Sequence, residues 1–300
     1  MEIVIVTGGN GFIGRHLVAY LKSRGYGVVV IDRDVQSDKW YQAPVFRWDL
    51  RHGIFDDCVN ELRHAYPVAI VHLAARLFGE APDLYEDNVI GTQTVRALVS
   101  KLPSVKRVIY TSSAGVYGHT PKDAREDITP TVPVNDYGLS KLVGEQVLRL
   151  DVRGDALDLC GMTILRLFNV YGEGGSGVVD ILKKVMNSKD KEFRLESEGA
   201  SERDFVPVEM VCELIGHELN RRIFDRSLMN VGLGQAVTIK DVVERAMEVD
   251  PDIECKKGDD VLVTRSCSDI GVLKSLYPEI IDKYRDKTES LDRLVRYWRR

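Results

Sequence analysis

Apolar positions in the first half of the chain take two alternating forms. Continuous, largely β-branched runs occur at 2–7, 27–31, 68–73, 105–111 and 162–167, with a weaker one at 44–48. Such runs lack polar alternation, which predicts short strands covered on both faces. Between them, 11–24, 54–65, 84–100 and 136–150 place apolar residues at helical spacing, as with Phe12, Leu17, Ala19 and Leu21, or Ile54, Val59, Leu62 and Ala65. Strands alternating with helices predict a parallel sheet between two helical layers. Right-handed crossovers make that an α/β fold with a Rossmann-type doubly wound parallel sheet.

The pattern loosens in the second half. Residues 173–177 are glycine-rich, 178–186 predict a short helix, and 187–203 are polar and charged. Residues 207–220 read as helix, 228–231 as strand, and 238–249 as a helix opened by a Thr238 cap.

Composition narrows the function classes. The chain has 300 residues, 44% hydrophobic and 29% charged, as expected of a globular protein. Its 46 acids against 41 bases give a formal charge of −5 and no basic block, so no nucleic-acid partner is expected. Arg293, Arg296 and Arg300 are spaced as one solvated helical face. No apolar run reaches the ~20 residues of a membrane span. The chain opens directly on EIVIV, so no signal peptide and a cytoplasmic location are expected. Five scattered cysteines without a CxxC pattern fit reduced thiols, and the six histidines show no ligand spacing, so no metal is expected.

The chemistry begins at Thr7-Gly8-Gly9-Asn10-Gly11-Phe12-Ile13-Gly14, between the first strand and first helix. Gly8 suits a tight turn, Gly11 a close approach of backbone to pyrophosphate, and Gly14 the packing of helix on strand. The helix N-terminus then offers free N–H groups to phosphate. Asp32 ends the second strand, placed to bind a ribose diol and repel a 2′-phosphate. Arg33 follows it and is a candidate to accept that phosphate. The balance favours NAD over NADP.

A second constellation is Tyr137-Gly138-Leu139-Ser140-Lys141, which sets Tyr137 and Lys141 four residues apart on one helix face. A nearby ammonium favours the phenolate, which is then able to take a proton from a substrate hydroxyl. Ser112 and Ser113 end the strand before it, followed by Ala114 and Gly115 rather than an acid.

Together these stretches resemble the extended short-chain dehydrogenases/reductases, in the nucleotide-sugar epimerase/dehydratase family. The carriers are TGGNGFIG, Asp32, Asp49-Leu50, HLAA at 72–75, Asn88, TSSAGVYG, YGLSK, LRLFNVYG at 165–172, ERDFVPV at 202–208 and SDI at 268–270. The resemblance implies that Gly8, Gly11, Phe12, Ile13 and Gly14 hold the pyrophosphate turn. Asp32 and Arg33 would lie at the adenosine ribose, and Asp49 and Leu50 would flank adenine. Leu73, Ala74, Ala75 and Asn88 would line the cofactor groove, with Arg76 toward its phosphates. Ser113 would orient the sugar, Tyr137 would act as base, and Lys141 would tune it and hold the nicotinamide ribose. Asn169 and Arg203 would contact the nucleotide diphosphate, with Lys257 in the region of a second nucleotide-gripping arginine. The implied division is an NAD-binding domain at 1–170, with elements near 205–235 packing back on it, and a smaller substrate lobe at 171–300.

The family's 4,6-dehydratases carry an Asp-Glu pair where this chain has Ala114-Gly115, so the resemblance leans toward a 4-epimerase of the UDP-glucose/galactose type. A reductase of a 4-keto nucleotide sugar and a non-catalytic dinucleotide sensor are the alternatives. The region after LRLFNVYG departs from the family pattern, with Glu173-Gly174-Gly175, and Glu209 stands where an Asp is usual. A homodimer is expected from apolar residues on two helices: Leu84, Val89, Val95 and Leu98, and Leu142, Val143, Val147 and Leu150.

Overall fold

The structure, a computed structural model, describes residues 1–34, 43–150, 160–175, 191–221, 226–286 and 292. The expected helix at 178–186 and the arginine face at 293–300 lie outside the described residues.

The predicted runs form strands β1 (Ile3–Thr7), β2 (Gly27–Asp32), β3 (Val45–Arg47), β4 (Ala69–His72), β5 (Arg107–Ser113) and β6 (Gly161–Leu167). With Arg226–Val231 they make one seven-stranded sheet, ordered Arg226–Val231, β6, β5, β4, β1, β2, β3. Pairing is parallel from β3 through β2, β1 and β4 to β5, and Ile5 lies opposite both Val29 and Ile70. The strand order reverses sense between β1 and β4. That is where a doubly wound sheet opens a crevice at the carboxyl ends of its strands.

Helices α1 (Phe12–Ser23), α2 (Asp56–Ala65), α3 (Ala81–Tyr85), α4 (Gly91–Lys101) and α5 (Asp136–Arg149) follow the predicted periodicity. Ile5, Ile31, Leu62, Ile70, Leu98 and Ile164 belong to one buried cluster. Each such side chain contributes roughly 1.5–3 kcal/mol by leaving water. The stretch expected as one helix over 84–100 is interrupted: a π turn at Glu86–Ile90 joins α3 to α4. Within that turn Asp87 and Asn88, neighbours in sequence, both have side chains almost out of reach of water.

The chain divides into two compact units, 1–118 with 131–166 and 212–229, and 119–130 with 167–211 and 230–300. The first holds the cluster just described. In the second, β7 (Asn169–Tyr171) and Arg265–Ser266 run parallel to β9 (Glu202–Pro207), while Ala236–Thr238 pairs with it antiparallel. A separate ribbon joins β8 (Glu192–Leu195) to Glu254–Lys257. The core of this unit includes Tyr171, Phe193, Phe205, Val237 and Val243. Thr238 does cap its helix: its hydroxyl accepts from Asp241 N at 3.0 Å, and the Asp241 carboxylate accepts from Thr238 N at 3.2 Å.

Residues 187–203 were expected to be only polar and charged. Glu192–Leu195 is instead a strand, with Phe193 buried in the core and Leu195, two residues on and on the same face, packed against it, while Arg194 between them is exposed. The helices Gly271–Leu276 and Pro278–Tyr284 also went unpredicted, being too short to show a clear period. Buried Asp204 ties the RDF and SDI motifs together. Its carboxylate accepts from Leu233 N, Gly234 N, Ser268 N and the Ser268 hydroxyl, at 2.5–3.1 Å.

The apolar surplus expected for a dimer is mostly spent within the monomer. Leu84, Val89, Val95, Leu98 and Val147 are all buried. Leu142 and Val143 are half-buried, and Leu150 is exposed. Sheet and neighbouring helices together cover more of each helix than one sheet face alone would.

Candidate active site

The glycine turn after β1 is shaped by close approach. Gly8 has φ +71°, and its N–H donates to Ile31 O on β2 at 2.8 Å. A Cβ there would lie 2.6 Å from Ala74 N, two residues past the end of β4. One at Gly14 would lie 2.1 Å from Gly8 O, so this glycine lets α1 pack on the turn itself rather than on the strand. Gly9, which the fingerprint spacing passes over, is equally tight, with its Cβ position 2.6 Å from Val30 Cγ1. Gly11 sits at the cap of α1, brings no side chain, and no acid occupies the first turn. The first N–H groups of α1 therefore have no carboxylate of their own turn competing for them, which fits a pyrophosphate. Phe12 and Ile13 are half-buried on that first turn.

Asp32 closes the turn from the β2 side. Its carboxylate accepts from Asn10 N at 3.0 Å and Asp34 N at 3.1 Å. Each oxygen keeps a lone pair for a diol. Leu73 N donates to Thr7 O at 3.2 Å and Ala74 N to the Thr7 hydroxyl at 3.3 Å, which fixes the Leu73-Ala74-Ala75 wall. Leu50 is buried, and its carbonyl accepts from Thr94 at 2.7 Å. Asp49 is held by Arg51, which pulls its carboxyl down to about 2.

Arg33 and Arg76 do not reach freely into the crevice. Arg33 Nη1 donates to both oxygens of Asp87, at 3.0 and 3.1 Å. Arg76 Nε pairs with the same carboxylate, and Arg51 Nε lies 3.3 Å from it. Asn88 holds the backbone of Arg76 through both its amide atoms, at 2.7 and 3.0 Å, and donates to the Ser140 hydroxyl at 2.8 Å. The loop after β4 is thereby tied to α5.

The catalytic candidates converge on α5. Asn135 caps the helix by accepting from Gly138 N at 2.8 Å. A Cβ at Gly138 would lie 2.4 Å from Gly115 O, so the first turn of α5 rests directly on the turn after Ser113. The Ser113 hydroxyl accepts from Gly115 N at 3.0 Å and is hydrogen-bonded to the Tyr137 phenol. Burial raises the Tyr137 pKa, and the Ser113 bond pulls against it. Lys141 is almost fully buried, its Nζ 4.3 Å from the Tyr110 ring centre. Burial pushes the ammonium down to about 7, with the charge of Glu145 opposing. The expected lowering of Tyr137 by Lys141 is thus not what the polypeptide alone produces, because desolvation dominates both groups.

Behind this face lies a buried polar layer that motif reading missed. Glu145 accepts the Ser112 hydroxyl at 2.6 Å and pairs with Arg166 at 2.7 and 2.9 Å. The signal was present: Tyr137, Lys141 and Glu145 succeed one another at four-residue spacing. His72 sits between the Thr7 and Thr92 hydroxyls, at 2.7 and 3.1 Å, and stacks on Tyr110. Burial, then Lys141, pushes its pKa down to about 3, so it is neutral.

The three residues expected at the nucleotide end of the substrate lie in the second unit, whereas Ser113 and Tyr137 lie in the first. Asn169 opens β7, its amide 3.4 Å from Asp204 O. Arg203 on β9 donates to Glu202 O at 2.8 Å, Thr264 O at 3.1 Å and the Thr264 hydroxyl at 2.7 Å. Lys257 is exposed on the separate ribbon, 4.0 Å from Glu198. Among the described residues, no cluster of His, Cys, Asp and Glu is placed to hold a metal ion, and no helix is long and apolar enough to cross a membrane.

A doubly wound sheet, a glycine turn that backbone nearly fills, and a Ser–Tyr–Lys face define a dinucleotide-dependent enzyme of the short-chain dehydrogenase/reductase class. Residues 4–232 match the NAD dependent epimerase/dehydratase family, and the chain belongs to it. The chain is 26% identical to a UDP-glucose 4-epimerase of Halalkalibacterium halodurans over 82% of its own length and 80% of the relative's. It is 33% identical to the bifunctional protein GAL10 of Pachysolen tannophilus, over 60% of its length but only 28% of that larger protein. The structure of MoeE5 in complex with UDP-glucose and NAD superposes with a TM-score of 0.84, covering 99% of both chains at 27% identity.

Proposed function

We propose that this protein is an NAD-dependent 4-epimerase of a nucleotide-diphosphate sugar, of the UDP-glucose/UDP-galactose type. The observation that carries the reading is the hydrogen-bonded Ser113–Tyr137 hydroxyl pair, with buried Lys141 one turn further along α5 and Ala114-Gly115, not an acid, next in sequence to Ser113. A Cβ at 115 would sit tightly against Ser113 Oγ, at 3.3 Å, and in ordinary contact with Tyr137 Cδ1, at 3.9 Å. Elimination of water needs an added acid and base, whereas inversion at C4 needs one orienting hydroxyl and one base. Among acids near this stretch in sequence, Asp123 pairs with Arg265, Asp127 with Arg125, and Glu126 accepts Asn230 N. Glu145 is spent on Arg166.

When bound, NAD would supply the acceptor and donor of hydride at C4. The α1 N-terminus and Gly8–Gly11 backbone hold the pyrophosphate, and Asp32 the adenosine ribose. Ser113 orients the sugar hydroxyl, and Tyr137 takes its proton as the 4-keto sugar forms and returns it afterwards. Lys141 supplies positive charge at the foot of Tyr137. Asn169 and Arg203 hold the nucleotide diphosphate, with Lys257 at its periphery; a bidentate guanidinium suits phosphate. On this reading the first unit binds NAD and the second carries substrate contacts. A cytoplasmic homodimer belongs to the same reading, with exposed Ile90, Leu139 and Leu150 as its apolar contacts.

The test is incubation with UDP-glucose, UDP-galactose and their N-acetyl forms, without added nicotinamide, followed by analysis of C4 configuration. Inversion that falls about 10²–10⁴-fold in Tyr137→Phe supports the reading. A 4-keto-6-deoxy product, or stoichiometric consumption of NADH or NADPH, would replace it with a dehydratase or a reductase.

A further inference from the structure

Arg33 poses a problem for an NAD enzyme. It follows Asp32 at the end of β2, where an arginine is able to grip the 2′-phosphate of NADP. The Asp32 carboxylate repels that phosphate while the neighbouring guanidinium would attract it. The structure contains a third group that decides between them.

Asp87 meets Arg33 through both carboxylate oxygens, at 3.0 and 3.1 Å. Its side chain is only 8% exposed, whereas that of Arg33 is 41% exposed, so the acid is the fixed member of the pair. The π turn at Glu86–Ile90 supplies the fixing. It directs Asp87 at the arginines, while Asn88 is pinned to the Arg76 backbone and Ser140. Such turns are frequent at functional sites.

The same carboxylate serves Arg51 and Arg76, but each of these has a second acid. Arg51 also holds Asp49 at 2.6 Å and lies 3.6 Å from Glu86. Arg76 lies 3.7 Å from Asp83. Asp87 is the acid that engages Arg33 among the described residues. Neutralising Asp87 would therefore leave Arg51 and Arg76 held and release Arg33.

We propose that Asp87 is a cofactor-specificity residue, which secures the preference for NAD by holding the Arg33 guanidinium off the adenosine ribose. Asp87 acts through Arg33, so it is a positioning residue and not a catalytic one. The proposal rests on the assignment of the crevice at Gly8–Gly14 and Asp32 as the dinucleotide site.

The experiment is calorimetric titration of nucleotide-stripped protein with NAD⁺ and with NADP⁺. The parent protein binds NAD⁺ the more tightly. In Asp87→Asn the ratio of the two dissociation constants falls about tenfold, chiefly through tighter NADP⁺, the scale of one charge-assisted hydrogen bond. Adding Arg33→Ala to Asp87→Asn restores the parent ratio to within about twofold, because no guanidinium is left to release. An unchanged ratio in Asp87→Asn overturns the proposal, as does a fall that persists in the double variant. If Asp87→Asn does not fold, Arg33→Ala alone carries the test. A guanidinium already withdrawn changes the ratio by less than about twofold when removed, and a larger fall in NADP⁺ affinity would show Arg33 engaged and overturn the proposal. A parent protein that binds neither nucleotide would instead refute the site assignment.

Discussion

Replacing Lys141 with methionine is expected to stabilise the protein while abolishing turnover. Lys141 is among the largest fully buried side chains, and burial pushes its ammonium from 10.5 down to about 7. The folded state then binds its proton more weakly than the unfolded chain does. Between about pH 7 and 10.5 the unfolded chain holds more protons, so stability rises with pH across that window. Below about pH 7 both states are protonated and the cost is at its full, constant value. At pH 7 that cost is about 4 kcal/mol. Methionine fills similar space without charge and relieves it. The lost contact of Nζ with the Tyr110 ring, at 4.3 Å, takes back about 1–2 kcal/mol. The net gain at pH 7 is about 2–3 kcal/mol, or several degrees in Tm. At pH 10 the parent lysine is already neutral when folded, and the gain shrinks below about 1 kcal/mol. Thermal unfolding of both proteins, stripped of nucleotide, at pH 6, 7 and 10 measures this. A lower Tm for Lys141→Met at pH 7, or a difference that does not change between pH 7 and 10, would refute the reasoning.

Glu145→Gln leaves the buried Arg166 guanidinium without its counter-charge and should cost about 3–5 kcal/mol in a denaturant titration; Ser112→Ala, which removes one hydroxyl from the same carboxylate, should cost about 1 kcal/mol. Gly138→Ala would place a Cβ 2.4 Å from Gly115 O, so turnover should fall at least about tenfold as Tyr137 and Ser113 are forced apart, while the far-ultraviolet circular dichroism stays as in the parent. Asp204→Ala orphans donors from Leu233, Gly234 and Ser268 and should lower stability by about 2–4 kcal/mol, read as a shift in the urea midpoint.

Much of the Rossmann unit was written locally. Val4-Ile5-Val6 and Val28-Val29-Val30 are apolar without alternation because both faces of a central parallel strand are covered, so sequence alone marks them as interior strands. Gly8, Gly14, Asp32, Tyr137 and Lys141 were legible for the same reason: a turn, a strand end or one helix face fixes their spacing, and no distant contact is needed to read it. Gly9 was as visible as its neighbours, but its reason, Val30 at 2.6 Å from a would-be Cβ, lies on another strand. The second unit was harder to read. Its strands are short and half-covered, and what binds them is long-range, as in the meeting of Asp204 with Ser268. The charges were decided by tertiary structure alone. Asp87 looks like a surface acid in a helix until the π turn brings it under Arg33, and Glu145 looks like a third exposed charge until β6 delivers Arg166 to it. Spacing along one helix says which side chains share a face. Whether that face meets water, an arginine or a tyrosine ring depends on what the rest of the chain packs against it, and desolvation then sets the charge, as at Lys141.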